Sequence, residues 1–79
     1  MSSIEDQIAA AIREKLEGSE VAVTQNKGGH YSIDVVSKEF EGKNMLQSQR
    51  LVLSAVSHLM KGDGAPLHAV DSLKTRVPG

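Results

Sequence analysis

The sequence predicts an α+β fold: a small two-layer sandwich in which two helices cover one face of a three-stranded mixed sheet, in the order α-β-β-α-β. Three observations carry this reading. A four-residue apolar period runs through the first part of the chain. Apolar and polar residues alternate on both sides of Asn26-Lys27-Gly28-Gly29. A second helical stretch then separates this hairpin from a last strand-like segment. The hairpin makes the first two strands antiparallel. The helical crossover makes the second and third parallel neighbours, with the usual right-handed connection.

Each element has its own local warrant. Ile4, Ile8, Ile12 and Leu16 form one apolar stripe, which predicts a helix over 2–17. Ser2 and Glu5 have capping-box spacing, and Gly18 is a natural stop. Val21 and Val23 alternate with Ala22 and Thr24, so 20–25 reads as a short strand. Asn26-Lys27-Gly28-Gly29 turns the chain, because Asn and Gly tolerate positive φ. His30 to Ser37 is the return strand, with Tyr31, Ile33 and Val35 on one face and Ser32, Asp34 and Val36 on the other. Glu39 to Asn44 is a polar loop pinned by Phe40 and opened by Gly42. Met45 to Met60 is the second helix, with Val52, Ala55, Val56 and Leu59 as its core stripe. Two glycines and a proline in Gly62-Asp63-Gly64-Ala65-Pro66 break it, and Leu67 to Val77 is the last strand, ended by Pro78.

Composition bounds the function. Seventy-nine residues make one expected domain, 1–79, with a single thin core. Without cysteine there is no disulfide framework, no zinc ribbon and no thiol nucleophile from this chain. The net charge of −1 argues against a domain that grips nucleic acid mainly by neutralising phosphates. Tyr31 and Phe40 are the only aromatics, too few for a base-stacking platform. No basic n-region with an apolar run opens the chain, and nothing approaches ~18 consecutive apolar residues, so the expected address is the cytoplasm with no membrane contact. Gly42-Lys43 is not a phosphate-binding loop, because Ser37 stands where its first glycine belongs. No catalytic set is framed by a local signature, so an enzyme is not expected.

The topology has one consequence for chemistry. Parallel strands begin at the same edge of a sheet, so His30 and His68, which open the second and third strands, are expected at a common rim where they could share a ligand. Strand-edge histidines with structural hydrogen bonds are the bland alternative. His58, in the last turn of the second helix, reads as a charge-dipole partner of the helix end. Met45 to Met60 holds one permanent charge, Arg50. Its outward side is expected to show Ser48, Ser54, Ser57 and several of Met45, Leu46, Leu51 and Leu53. That pattern fits either a partner surface or a more deeply buried helix.

His30 to Ser37, Phe40-Glu41-Gly42-Lys43, Arg50-Leu51-Val52 and Leu67-His68-Ala69-Val70 together resemble the BolA-like family. The resemblance covers roughly residues 20 to 78. It implies a fold similar to the class II K-homology fold and a protein that is not an enzyme. It implies pairing with a monothiol glutaredoxin around a bridging [2Fe–2S] cluster, in iron–sulfur trafficking or iron homeostasis; some bacterial members act instead as nucleic-acid-binding regulators. Alone, such a chain would be a monomer or weak homodimer without the cluster. The family's C-terminal histidine ligand falls on His68. The second ligand, in the loop between the first two strands, falls on His30, unless His30 matches the non-ligand histidine that opens the second strand. Phe40, Gly42, Lys43, Arg50 and Leu51 are the implied partner-binding residues. Where many members carry Arg-His-Arg, this chain has Gln47-Ser48-Gln49-Arg50, and only Arg50 keeps the basic character. A [2Fe–2S] cluster takes four ligands, so two histidines without a cysteine require a partner cysteine and a glutathione thiolate to complete it.

Overall fold

The computed structural model describes residues 3–61, 65 and 67–79. The elements follow the expected order: α1 (Ile4–Lys15), β1 (Glu20–Lys27), β2 (His30–Val36), α2 (Met45–Val56) and β3 (Ala69–Arg76). Single 3-10 turns at Lys38–Phe40 and Ser57–Leu59 flank α2. The strands form one sheet in the order β1-β2-β3. β1 runs antiparallel to β2, and β3 runs parallel to it. Among the described residues, no helix is long and apolar enough to cross a membrane.

Helix α1 begins one residue later than the capping-box spacing predicts. The Asp6 N–H donates to Ser3 Oγ at 3.1 Å, while Ser2 lies outside the described residues. Ile8, Ile12 and Leu16 are buried on the face the period indicated. Gly18, at φ 75°, turns the chain into β1. The opposite layer is supplied by Tyr31, Ile33 and Val35 of β2, all buried, with Val21, Val23, Val70 and Leu73 packed around them. Val52, Ala55, Val56 and Leu67 complete the core. Fully burying one such large aliphatic side chain is worth roughly 1.5–3 kcal/mol, and these residues are what hold the two layers together. Burial pushes the Tyr31 phenol up, and the Glu5 carboxylate adds to that effect.

Helix α2 has a full capping box. Asn44 Oδ1 accepts from the Gln47 N–H at 2.8 Å, and Gln47 Oε1 accepts from the Asn44 N–H at 3.0 Å. The helix ends at Val56 rather than Met60, and the chain tightens into a 3-10 turn. Ser54 and Ser57 donate their hydroxyls back to the carbonyls of Leu51 and Ser54, at 2.7 and 3.2 Å. Such back-bonding competes with the helical ladder and favours a tighter turn. Ser48 was expected on the outward side but is buried. It lies four residues before Val52 and seven before Ala55, so it belongs to the core stripe. Met45 and Leu46 do face outward, 72% and 55% exposed. Leu51 is half-buried against the core.

The break at Gly62-Asp63-Gly64 and Pro66 lies outside the described residues. Leu67 is fully buried ahead of β3, and its N–H donates to the Leu59 carbonyl at 3.2 Å. It is an anchor tying the end of α2 to the sheet, which is why β3 begins at Ala69 and not at Leu67.

Candidate functional site

Two irregularities in the ladder shape the end of the sheet at the β1–β2 turn. The β1–β2 register shifts between Gln25 and Lys27, leaving Asn26 as an extra residue. The β2–β3 register pairs Tyr31 with Val70 but Ser32 with Ser72, leaving Asp71 as the extra residue. A bulge bends its strand and re-aims a side chain. Here the two bulges bring Asn26 and Asp71 together beside His30. Asn26 Nδ2 donates to Ser32 Oγ at 2.9 Å and to Asp71 Oδ2 at 3.2 Å. His30 Nδ1 lies 2.9 Å from Asp71 Oδ1. The three strands are thus joined by one polar group of side chains on the face of the sheet away from the helices.

The chemistry of the His30–Asp71 pair follows from what each atom can do. An ionised carboxylate only accepts, so Nδ1 carries the shared proton and Nε2 of the neutral ring keeps its lone pair free. A carboxylate behind a histidine fixes the tautomer and the orientation of the ring, as it does for metal-bound imidazoles. The hydrogen bond from His30, and then that from Asn26, holds the Asp71 carboxyl below the usual carboxylate range. Both partners remain about half exposed, 47% and 44% at the side chain.

His68 precedes β3 directly and is exposed. Its N–H and that of Ala69 both donate to the Gly29 carbonyl, at 2.8 and 3.3 Å. Among the described residues neither of its ring nitrogens has a hydrogen-bond partner, so the imidazole is available to an outside group. Gly29 lies between the two histidines. It is bonded in sequence to His30 and through its carbonyl to His68. The expected common rim is therefore present. The two histidines do not join Asp71 in a metal cage, for among the described residues no group of three or more His, Asp or Glu has the spacing to hold an ion.

The other expected site residues lie elsewhere. Phe40, Gly42 and Lys43 follow β2 at its Val36 end, one strand length from the histidines. Seven residues at ~3.3 Å each put that separation on the order of 20 Å. Phe40 is only 4% exposed and anchors the turn from inside the core. Gly42 is exposed at φ 78°. The Lys43 ammonium donates to the Glu39 carbonyl at 2.7 Å and closes the same turn. Arg50 is exposed on α2, and Leu51 beside it faces largely inward. Phe40, Gly42 and Lys43 therefore do not form one patch with the histidines. His58 is exposed in the 3-10 turn after α2, beyond the helix end where it was expected. Asp71 was not read as a site residue and Asn26 only as part of the turn, whereas it lies in β1, because neither bulge could be read from the pattern of alternation.

Comparison with known proteins identifies the family and the fold. A family model described as BolA-like protein matches residues 6–79. Protein BOLA2 of Arabidopsis thaliana is 32% identical, over 92% of this chain and 77% of that protein. BolA-like protein 1 of Bos taurus is 37% identical, over 90% of this chain; the match spans 59% of the bovine protein's length. The crystal structure of a Bol-like protein from Babesia bovis aligns with a TM-score of 0.79 at 34% identity, covering 100% of this chain and 88% of that one.

Proposed function

The chain belongs to the BolA-like family, and from that premise we propose that it is a partner module for a monothiol glutaredoxin, to whose bridging [2Fe–2S] cluster it contributes His68, with His30 as the second candidate. The observation that carries this reading is the exposed imidazole of His68, without a partner among the described residues, at the same rim as an imidazole already oriented by a carboxylate. The donor set fits the group. Imidazole nitrogen is an established ligand of [2Fe–2S] iron, and a surface histidine can reach a cluster held mostly by another protein. This chain has no cysteine, so the thiolates must come from the partner and from glutathione. The cluster, when bound, supplies one-electron redox chemistry and transferable iron and sulfide.

The chain's own work is to hold and to orient. Backbone hydrogen bonds to Gly29 fix where the His68 ring starts. Asp71 turns Nε2 of His30 outward as the donor nitrogen. Neither residue performs a turnover step, and the module serves iron–sulfur trafficking or iron homeostasis as a binding protein.

The test is reconstitution with a monothiol glutaredoxin, iron, sulfide and glutathione. Wild type, His68→Ala and His30→Ala are compared by visible absorption and circular dichroism. His68→Ala is expected to lose most of the cluster's dichroism in the complex. A spectrum identical to wild type would remove His68 as a ligand.

A further inference from the structure

We propose that Gly29 is the positioning residue for His68: its bare Cα is the seat on which the imidazole rests. The proposal rests on the reading of His68 as the cluster ligand and goes beyond it by naming what aims the ring.

Gly28 and Gly29 both have positive φ, 51° and 86°, as the two central residues of a tight hairpin require. Backbone geometry therefore favours glycine at both. What separates them is the space around each. A Cβ built on Gly28 meets nothing within 4 Å. A Cβ on Gly29 would lie 2.8 Å from Cγ, 3.0 Å from Nδ1 and 3.2 Å from Cδ2 of His68. Ordinary carbon contacts sit near ~3.5–4.0 Å, so a side chain at Gly29 and the ring cannot occupy these places together.

The backbone prevents the simplest escape. The Gly29 carbonyl accepts from both His68 and Ala69, so the start of β3 is tied to the turn and cannot draw back. An added Cβ must therefore rotate the His68 ring off its seat. The ring is exposed, so this rotation need cost little stability. It costs direction, because a ligand must be held within roughly 10–20° of productive geometry. Seating the ring in advance also reduces the side-chain entropy lost when the shared cluster forms.

The test compares Gly29→Ala with Gly28→Ala, which imposes the same kind of backbone strain without touching the ring. In the wild-type chain alone, a nuclear Overhauser contact is expected between the Gly29 α-protons and the His68 ring; its absence overturns the proposal without any variant. Gly29→Ala is expected to move the His68 ring resonances, and Gly28→Ala to leave them in place. In the reconstituted complex, Gly29→Ala is expected to lose cluster dichroism in the manner of His68→Ala, while Gly28→Ala keeps it. Wild-type dichroism in Gly29→Ala, where His68→Ala has lost it, overturns the positioning role and leaves the ligand reading intact. Displaced ring resonances together with unchanged dichroism in His68→Ala uphold the seat and defeat the ligand reading instead. Far-UV dichroism verifies the fold of both glycine variants.

Discussion

His30 and His68 flank one glycine, yet their surroundings give them different chemistry. His30 has a nitrogen committed to Asp71, while His68 has a ring lying over a turn with neither nitrogen paired among the described residues. The Asp71 carboxyl is held low by His30 first and Asn26 second. A carboxyl depressed in the folded state contributes stability above its unfolded value of about 3.9 and loses it as pH falls through the folded value. Asp71→Asn is therefore expected to flatten the acid limb of the stability profile. Urea midpoints taken from about pH 5 down to about pH 2 check this, and an acid limb like that of wild type would uncouple the pair from folding.

At the scale of the element, α2 is specified at both ends by different means. Its start depends on the reciprocal Asn44–Gln47 bonds. Asn44→Ala is expected to destabilise the fold by about 0.5–2 kcal/mol, measured by urea unfolding, with little further loss on adding Gln47→Ala because both changes break the same box. Its middle depends on a small buried residue. Ser48→Leu is expected to cost about 1–3 kcal/mol by overfilling the packed space around a buried position, and a stabilised variant in the same assay would return Ser48 to the surface. These two residues also mark how far local pattern reaches. The apolar periods of α1 and α2 and the alternation of β2 identified their faces, since burial of one face is what selects such patterns. Ser48 was misplaced because polarity argued for water while helical spacing argued for the core, and spacing prevailed. The end of α2 was overextended because serine back-bonding leaves no mark on hydrophobic period.

At the scale of the whole molecule, β2 is, among the described residues, the only strand with a neighbour on both sides, and its inward residues Tyr31, Ile33 and Val35 form the middle of the core. Amide hydrogen exchange is expected to be slowest in β2 and faster in β1, whose outer edge has no strand partner among the described residues. Exchange as slow in β1 as in β2 would mean that this edge is covered in solution. The parallel placement of β3 also decides which ends meet. It brings His68 to the β1–β2 turn and leaves Phe40, Gly42 and Lys43 at the far end of the sheet.

The order of elements, the buried faces of α1 and β2 and the common edge of His30 and His68 were determined by the sequence alone, because each follows from periodicity, turn residues and the parallel crossover rule. The Asp71–His30 pair, the Asn26 brace and the seat of His68 on Gly29 were decided only by the tertiary structure. The physical reason is that each depends on a one-residue register shift or on a contact between distant segments. Neither alters the alternation of apolar and polar residues by which a strand is recognised.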